Sequence, residues 1–579
     1  MNTEHPPHSG AGVGKVLVIG GDTRAFLATV RSLGRRGGEV HVLPVGAEPA
    51  ALASRYVRQV HQPPAVADDE QVWVDWLANL LRRESYELVV PCVDSVIATL
   101  QVHREQFADQ PGVYLLDHAT FEIVSDKVAS RQQAAALGLP VPVECAIHSV
   151  SDGPSVAARL GFPVVIKPRT SHGSMLSSGR RMVRRADSLA VLDDEIQAML
   201  ADGECVAQSF CPGVGVGVEL LMDRGACLVA FQHRRVHEPL RGGGSSYRVS
   251  EALHPELLDA AVRLLSSLRF HGPAMVEFRV DRRTGQWVFM EVNARVWGSL
   301  PVALASGVDF PYYWHQLHVH GRREFPTAYT TGVYCRHITN DLAWLWRNLR
   351  ADRSDPTLAT LPLAAVVGEV AHVLTAREHF DTFVVDDPLP AAVELKRLAD
   401  RLLGSLGTRI RVLTAALPWC RHALRRRALA ALAKARSVLF VCKGNICRSP
   451  FAQLHARRVW PEQLHLDSAG YYPVTNRRSP DEALAAADRL GLDMSAHRSR
   501  PLTPAMLREY DVIVVFDQDN YDQVVQLDKS ARGKTHFVGA LLLSGPLAVI
   551  DPYGCGEGAF DEAYGRIMAA LDEARKGWS

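Results

Sequence analysis

The segment VLFVCKGNICRSPFAQ (438–453) constrains the fold of this chain more than any other feature. An apolar run ends at Cys442, five residues follow, and Arg448 and Ser449 then open a helical pattern. This order predicts a buried strand, a tight loop and a helix N-terminus whose backbone N–H groups converge on one point. Gly444 permits close approach of the backbone to a bound group. The segment therefore predicts an anion-binding cradle at the end of a strand in an α/β domain.

The cradle predicts nucleophilic chemistry on a phosphate ester. Its positive environment favours the thiolate form of Cys442, which is the attacking form of a cysteine. Arg448 is suited to bind two phosphate oxygens and to stabilise them in the transition state, and the Ser449 hydroxyl is suited to donate to the thiolate. The leaving oxygen needs a proton. Asp551 in VIDPYGCG (549–556) is the candidate donor, although an Asp-Pro pair alone is more typical of a turn.

Residues 436–579 resemble a low-molecular-weight protein tyrosine phosphatase over their whole length. Besides C-x5-R-S-P, the matching residues are Asp467-Ser468-Ala469-Gly470, Gly491-Leu492-Asp493, Ser495, His497, Arg498, Ser499, the run 510–515 with Asp517, and Asp551-Pro552-Tyr553. The resemblance implies a four-stranded parallel sheet and hydrolysis through a phosphocysteine intermediate, without a metal or another cofactor. It implies Cys442 as nucleophile, Arg448 as phosphate clamp and Asp551 as general acid. It also implies five residues that support the loop, namely Gly444, Asn445, Ser449, Ser468 and His497.

The sequence departs from this family after Ser-Ala-Gly. Tyr471 and Tyr472 stand there, and the Trp that the family pattern usually reaches a few residues later is missing. Phe516 replaces a usual Met, which is a swap between two apolar residues. The rim of the site and its substrate, a phosphorylated protein or a small phosphomonoester, therefore stay open.

Two further cysteines leave alternatives open. Cys447 inside the loop is either a small packed residue or the partner of a reversible disulfide that protects Cys442 from over-oxidation. Arsenate reductases share this fold and relay a disulfide through further thiols. Residues 516–548 contain no cysteine for such a relay, and Cys555 is a weak substitute. Arsenate reduction is therefore the less favoured activity.

The N-terminal part begins with alternating strand and helix patterns. The predicted elements are a strand at 15–21, a helix from Thr23 to Leu33, and strands at 40–45 and 87–94. They predict a βαβ lobe with a mostly parallel sheet. GAGVGKV (10–16) is not a Walker A motif, because Ser9 replaces its first glycine and Val16 replaces the residue that binds magnesium.

Two lysines stand near predicted element ends farther along the chain. Lys127 lies near the start of a helical pattern in 125–143, and Lys167 ends an apolar strand before a loop with Gly173 and Ser174. Lysines from different elements suit charge pairing with nucleotide phosphates. HRRVHEPLRGGGSSYR (233–248) predicts a basic, glycine-rich substrate loop, with a flexible surface loop as the alternative.

Residues 275–300 predict a hairpin with a turn at Thr284-Gly285. Alternation places Glu277 and Arg279 on one face of the first strand, and a second set together on its partner, namely Glu291, Asn293 and Arg295. Glu277, Glu291 and Asn293 offer the hard oxygen ligands that Mg²⁺ bridged to nucleotide phosphates requires. The alternative is a solvated hairpin, in which facing carboxylates would repel each other.

Residues from about 87 to 320 resemble an ATP-grasp enzyme, and 15–86 fit the lobe that precedes that fold. The resemblance rests on Lys127, Lys167, Glu277 and the E-x-N pair Glu291/Asn293. It implies ATP and Mg²⁺, activation of a carboxylate as an acylphosphate, and attack by an amine or a thiol. It places three residues at the adenine and ribose end, namely Gln208, Phe210 and Glu219. It implies that Arg295 stabilises the acylphosphate and that Arg279 helps to hold the carboxylate, while the acid and the nucleophile stay unidentified.

Composition excludes several classes of protein. Hydrophobic residues make up 47% and charged residues 22% of the 579, as in an ordinary globular protein. The formal net charge of +1 provides no global field toward nucleic acid, so no nucleic-acid partner is expected. The N-terminus lacks a signal-peptide pattern, and no apolar run reaches the roughly 18 residues of a transmembrane helix. Ten cysteines without a dense pattern predict the reducing cytoplasm.

Residues 401–435 have their own character. They contain no Asp or Glu, and they combine many arginines with Leu and Ala at helical spacing. This pattern predicts a basic linker helix packed on a neighbouring domain, and a helix that contacts a membrane surface or a partner is the alternative.

The sequence thus predicts a two-headed cytoplasmic α/β enzyme. Its predicted parts are a disordered lead-in (1–14), a parallel-sheet lobe (15–120), an ATP-grasp domain with α+β lobes and an extension (121–400), a basic helical linker (401–435) and a phosphatase domain (436–579). The favoured function joins a phosphotyrosine or related phosphomonoester phosphatase to an ATP-dependent carboxylate ligase. One alternative makes the ATP-grasp half a non-catalytic nucleotide sensor that regulates the phosphatase. Another makes the chain a scaffold on membrane or nucleic acid through 401–435.

Overall fold

A computed structural model gives the fold of the protein. It describes residues 12–46, 48–64, 70–170, 183–240, 243–353, 355, 358–369, 371–372, 377–414, 418–472, 475–553 and 555–576. The chain divides into two compact units, Met1–Leu398 and Ala399–Ser579. Most of the predicted lead-in, and the loop with Gly173 and Ser174, lie outside the described residues.

A parallel four-stranded sheet opens the first unit. Its strands, in spatial order β3-β2-β1-β4, are β1 (Lys15–Gly20), β2 (Glu39–Pro44), β3 (Val57–Val60) and β4 (Leu88–Pro91). The helices of this lobe are Ala25–Arg35, Pro49–Leu52, Glu70–Glu84 and Asp94–Val102. Val16 and Val18 pack with Phe26 on one face of the sheet, and Leu17 and Ile19 pack on the other. The apolar run of β1 is therefore buried on both faces, which confirms the predicted parallel-sheet lobe.

A small antiparallel sheet follows, in the order β5-β8-β6-β7. Its strands are β5 (Glu144–Ile147), β6 (Val164–Pro168), β7 (Arg184–Ala186) and β8 (Cys205–Ser209). The helices around it are His118–Ser125, Lys127–Ala136, Gly153–Leu160 and Leu189–Asp202. Asp126 caps the second of these helices, because its Oδ1 accepts from the backbone N–H of Val128 at 2.7 Å. The cap fixes the position of Lys127 at the first turn.

A seven-stranded sheet completes the first unit, in the order β13-β12-β9-β10-β11-β14-β15. Its strands are β9 (Val214–Asp223), β10 (Ala226–His237), β11 (Tyr247–Glu251), β12 (Gly272–Val280), β13 (Trp287–Asn293), β14 (Tyr334–Arg336) and β15 (Glu378–Phe380). All neighbours are antiparallel except β14 and β15. The associated helices are Pro255–Ser267, Leu300–Ala305, Phe310–His320, Ile338–Arg350 and Leu363–Gly368. The predicted β12–β13 hairpin is present, whereas His233–His237 belong to β10 and not to a substrate loop.

The second unit contains a parallel sheet in the order β17-β16-β18-β19. Its strands are β16 (Ser437–Cys442), β17 (His465–Gly470), β18 (Val512–Val515) and β19 (Thr535–Phe537). The helices that cover it are Arg448–Val459, Asp481–Arg489, Pro504–Glu509, Gln518–Leu527 and Glu557–Arg575. Alternate residues of β16 pack on opposite faces, with Phe440 in one core and Leu439 in the other. The predicted four-stranded parallel sheet is therefore confirmed.

The basic segment forms two helices, Leu389–Thr414 and Pro418–Leu432. The first helix crosses the predicted boundary at 400/401. Apolar residues at helical spacing already occur before residue 401, in a stretch that still contains Glu394 and Asp400. The second packs on the phosphatase sheet's helices through Ala428 and Leu432. Arg421 there donates to the backbone carbonyl of Leu542 at 2.9 Å. In the described part of the chain, no helix is long and apolar enough to cross a bilayer.

Candidate active sites

The loop after β16 wraps around the sulfur of Cys442. Ser449 Oγ lies 3.0 Å from Cys442 Sγ, and the backbone N–H of Asn445 donates to the same sulfur at 3.3 Å. Ser449 Oγ also accepts from Asn445 Nδ2 at 2.9 Å, which leaves its own proton available to the sulfur. The loop therefore places two hydrogen-bond donors around the Cys442 sulfur.

Asn445 holds the loop in shape with every polar atom of its side chain. Nδ2 donates to Ser468 Oγ at 3.0 Å as well as to Ser449, and Oδ1 accepts from the backbone N–H of Arg500 at 3.0 Å. The Asn445 backbone has φ = 53°, a left-handed conformation that Asn tolerates better than most residues. His497 Nε2 donates to the Asn445 carbonyl at 2.7 Å, and burial lowers the pKa of His497. The structure thus brings Asn445, Ser449, Ser468 and His497 together.

Gly470, at the end of β17, lies directly against the loop. A Cβ atom there would stand 2.7 Å from both the backbone N of Asn445 and the carbonyl O of Lys443. Any side chain at this position would displace the loop, since the neighbouring atoms are backbone. Gly444 is less crowded, since a Cβ atom there would stand 3.2 Å from Ile446 Cγ1, a side-chain atom that would have to shift by only a few tenths of an ångström. Sequence reasoning singled out Gly444 and used Gly470 only as part of a motif.

Arg448 connects the loop to the opposite wall of the site. Its guanidinium lies 2.5 Å from Asp517 Oδ2 and 2.7 Å from Asp551 Oδ2, and it donates to the Val549 carbonyl at 2.9 Å. Burial works against the charge, but the negative charges of Cys442, Asp551 and Asp517 outweigh it and raise the pKa of Arg448. The structure therefore brings Cys442, Arg448 and Asp551 into one site. Asp517 is a further member, which its position directly after an apolar strand could have signalled.

Cys447 is a buried neighbour of the nucleophile. It is 3% exposed, and burial, followed by the negative charges of Cys442 and Asp551, raises its pKa well above that of an ordinary thiol. The Tyr564 hydroxyl donates to its carbonyl at 3.4 Å. These surroundings favour the packed, protonated form of Cys447.

In the first unit, two glutamates face each other across the β12–β13 pair. Glu277 is the register partner of Glu291, and the next pair is shifted by a bulge. Glu291 lies 3.1 Å from Lys127 Nζ, and Glu277 lies 2.6 Å from Arg235 Nη2. The charge of Lys127 lowers the pKa of Glu291, whereas burial raises the pKa of Glu277. The positive charges of Lys127 and Arg235 therefore offset the repulsion between the two facing carboxylates.

Two arginines of the hairpin are engaged differently. Arg295 makes a bidentate pair with Asp94, with contacts of 2.7 and 2.9 Å, and its Nη2 lies 3.4 Å from Asn293 Oδ1. Arg279 lies 3.1 Å from Glu238 and donates to the carbonyl of Gly213. Arg295 thus stays beside Glu291 and Asn293, and Asp94 comes from the parallel-sheet lobe. Sequence reasoning missed Arg235, Glu238 and Asp94, because nothing local in the sequence marks a partner that another strand supplies.

The nucleotide end lies on the small antiparallel sheet. Lys167 is the second-last residue of β6, and burial lowers its pKa to about 8. In the described residues it has no carboxylate within ion-pair distance. Gln208 on β8 is 1% exposed and its Nε2 has no hydrogen-bond partner, while Arg185 stacks over the Phe210 ring at 5.5 Å. A buried cation and an orphaned donor fit a nucleotide that supplies phosphate oxygens and a base acceptor.

Glu219 does not join Gln208 and Phe210. It lies on β9 of the seven-stranded sheet, it is fully buried, and its Oε1 accepts from Ser299 at 2.9 Å and lies 3.0 Å from His233 Nδ1. The contacts of Glu219 are thus with the core of its own unit, and its placement at the adenine and ribose end stays a prediction. The strand after the glycine-rich turn enters a different sheet, and alternation turns this carboxylate toward the core.

Comparison with known proteins decides the family of the second unit. Residues 437–577 match the family model for low molecular weight phosphotyrosine protein phosphatase. The low molecular weight protein-tyrosine-phosphatase Etp of Escherichia coli K12 is 33% identical over 143 residues, which are 25% of this chain and 95% of Etp. The chain belongs to the low-molecular-weight protein-tyrosine-phosphatase family. The probable phosphatase AmsI of Erwinia amylovora is 32% identical to this phosphatase domain over 142 residues, which are 24% of this chain and 94% of AmsI.

The first unit matches a second family. Residues 126–318 match the model for the ATP binding domain of the carbamoyl-phosphate synthase L chain, and they form an ATP-grasp domain. The crystal structure of an L-amino acid ligase from Bacillus licheniformis is similar at 20% identity and a TM-score of 0.42, over 53% of this chain and 75% of that one. For the phosphatase unit, the crystal structure of the tyrosine phosphatase Wzb from Escherichia coli K30 in complex with sulphate is 30% identical. The match covers 25% of this chain and 99% of that one, with a TM-score of 0.24. The protein thus joins a protein-tyrosine-phosphatase domain, which makes it a hydrolase, to an ATP-grasp domain.

Proposed function

We propose that the phosphatase domain hydrolyses phosphotyrosine or a related phosphomonoester through a phosphocysteine intermediate. The observation that carries this proposal is the convergence of Ser449, the Asn445 N–H and Arg448 on the site of Cys442. The thiolate attacks phosphorus, while the loop N–H groups and Arg448 bind the phosphoryl oxygens. A bound phosphate dianion competes with Asp551 for Arg448, so Asp551 is released to hold a proton for the leaving oxygen.

The second step returns the enzyme to its resting state. Water attacks the phosphocysteine, the S–P bond breaks, and inorganic phosphate leaves. Asp551, deprotonated in the first step, accepts the proton of that water. A stopped-flow burst of phenol, equal to the enzyme concentration and followed by slower turnover, tests this sequence. A burst that persists in Cys442→Ser would contradict the assignment of the nucleophile.

We propose that the ATP-grasp half is a carboxylate ligase that uses ATP and Mg²⁺. When bound, ATP supplies the phosphoryl group that activates a carboxylate as an acylphosphate. Lys127 and Lys167 would hold its phosphates, and Gln208 and Phe210 its base. Glu277, Glu291 and Asn293 are the residues that would hold Mg²⁺. Arg295, beside these oxygens, is placed to stabilise negative charge on the activated carboxylate, and Arg279 to orient the acid.

ADP release by the Cys442→Ser protein tests the ligase proposal. The variant is used because phosphatase turnover would otherwise obscure phosphate release. A panel of carboxylates with amines or thiols is expected to contain pairs that stimulate ADP formation. Tight Mg·ATP binding without stimulation by any pair would support the alternative, in which this half is a nucleotide sensor for the phosphatase. The facing pair of Glu277 and Glu291 would supply Mg²⁺ ligands under either reading, so stimulated ADP release is the result that separates a ligase from a sensor.

We also propose a cytoplasmic location. All ten cysteines are free thiols in the structure, and the phosphatase mechanism needs a reduced Cys442.

A further inference from the structure

We propose that Arg477, stacked on Tyr472, forms an anion subsite beside the phosphatase loop, and that it selects phosphotyrosine peptides with an acidic residue next to the phosphotyrosine. This inference rests on the proposed phosphatase function. It names the substrate class of a site whose rim the sequence left open.

The guanidinium of Arg477 lies directly against the phosphate-binding loop. Its Nη1 is 3.5 Å from the position of a Cβ atom on Gly444. Its Cζ lies 5.1 Å from the centre of the Tyr472 ring. The Tyr472 backbone N–H in turn donates to the carbonyl of Lys443, within the loop, at 2.8 Å. Arg477, Tyr472 and the loop therefore form one continuous edge of the site.

The backbone fixes Arg477 at this edge. Its N–H donates to Ser499 Oγ at 3.0 Å, and the Ser499 N–H donates to the Arg477 carbonyl at 3.0 Å. Ser499 is only 3% exposed, so both bonds are protected from water. The neighbouring Asn476 donates to the Ser499 carbonyl at 2.7 Å. These hydrogen bonds fix the backbone of residues 476 and 477 beside the loop, so the Arg477 side chain starts at this edge of the site.

Among the described residues, no carboxylate neutralises the charge of Arg477. By contrast, Arg478 lies 3.5 Å from Asp481, and Arg448 pairs with Asp517 and Asp551. Lys443, which is exposed, adds a second positive charge on the same side. The opening of the phosphatase site therefore has opposite charges on its two sides. The basic residues Lys443 and Arg477 lie on the side of the loop, and Asp517 and Asp551 lie on the other. A second anion of the substrate fits only the loop side.

A carboxylate on a residue adjacent to phosphotyrosine matches this arrangement. The scissile phosphate occupies the loop at Gly444, and Arg477 contacts that same residue, so the two anion positions are neighbours. The site is partly open to water, so we expect a modest, salt-sensitive preference and not an absolute requirement.

The test compares full-length wild type with Arg477→Gln and Arg478→Gln. Substrates are phosphotyrosine peptides with Glu or Gln on each side, and p-nitrophenyl phosphate as a substrate without a second anion. Wild type and Arg478→Gln are expected to show a kcat/KM about three- to tenfold higher for the Glu peptide at low salt, which shrinks at high salt. Arg477→Gln is expected to lose this preference and to hydrolyse p-nitrophenyl phosphate within about twofold of wild type.

Two results would overturn the inference. One is a Glu preference that Arg477→Gln retains, and the other is an equal loss on the peptides and on p-nitrophenyl phosphate, which would make Arg477 a support of the loop. A wild type that hydrolyses p-nitrophenyl phosphate without any Glu preference would refute the subsite alone. A wild type that hydrolyses none of these substrates would refute the proposed phosphatase function itself.

Discussion

The two catalytic centres of this protein hold their polar groups in place by different means. Around Cys442, order comes from the backbone of one short segment and from hydrogen bonds of the neutral Asn445 side chain. In the ATP-grasp half, order comes from charges that pair with each other, as Lys127 does with Glu291 and Arg295 with Asp94. In the first centre the donors around the sulfur are already in place, and only the Arg448–Asp551 pair would open for a phosphate. In the second, Mg·ATP would have to replace several internal ion pairs.

The largest expected effect follows from removing the nucleophile of the preformed cradle. Cys442→Ser is expected to lower kcat on p-nitrophenyl phosphate by roughly 10⁴-fold or more, because a serine hydroxyl at this site has no base to activate it. Mg·ATP affinity of the other half, measured by calorimetry, is expected to stay unchanged. Cys447→Ser serves as the matched control and should retain turnover. Wild-type turnover by Cys442→Ser would show that another residue attacks phosphorus.

The ion-paired centre predicts a smaller but clear effect. Glu291→Ala removes a proposed Mg²⁺ ligand and leaves Lys127 without its partner, so Mg·ATP is expected to bind roughly 10- to 100-fold more weakly. Phosphatase kinetics should not change. Glu204→Ala, which removes an exposed carboxylate of the same unit, is the control. Equal calorimetric affinity in Glu291→Ala and wild type would disprove the proposed metal site.

The contrast between the centres also explains what the sequence could predict. The phosphatase loop is contiguous, so its strand, its cysteine and its helix start are visible in 438–453. Asp551 is distant in sequence, but a recognised motif placed it, and the structure puts it 2.7 Å from Arg448. The parallel sheets were predictable as well, because strands buried on both faces are apolar throughout.

The ATP-grasp half was less predictable because its contacts join residues on non-adjacent strands or in different lobes. Arg235 reaches Glu277 from the far side of β9, and Asp94 reaches Arg295 from a different lobe. No local pattern carries that information. Glu219 shows the limit most clearly, since the sequence pattern marks a strand here but does not say which sheet that strand joins. Alternation gives the face of a residue only relative to its own strand.

Asn445 tests whether the cradle depends on its neutral network. Asn445→Gly keeps the left-handed backbone and removes the side-chain bonds, and Asn445→Ala removes the bonds and adds backbone strain. We expect kcat to fall about tenfold in the glycine variant, with a loss of about 1–3 kcal/mol in the free energy of unfolding. The alanine variant should lose about 1 kcal/mol more. Identical denaturant midpoints and turnover in Asn445→Gly and wild type would show that the network is dispensable.

The smallest expected effect is a pH dependence of Mg·ATP affinity in the ATP-grasp half. Burial lowers the pKa of Lys167 from 10.5 to about 8, so the folded chain holds fewer protons than the unfolded chain between those values. Burying this charge costs stability below pH 8, and the cost fades as pH rises through that window. Phosphate oxygens need the charged form, so Mg·ATP affinity is expected to fall about three- to tenfold between pH 7 and pH 9.

Lys167→Arg separates this titration from other causes, because arginine stays charged throughout the range. Its affinity for Mg·ATP, measured by calorimetry at each pH, is expected to be flat, while Lys167→Gln should be weak and flat. A wild-type profile that matches that of Lys167→Arg would mean that Lys167 does not titrate near pH 8. In that case a carboxylate must compensate its charge, and the ATP-grasp centre would resemble the phosphatase cradle in being complete before its ligand binds.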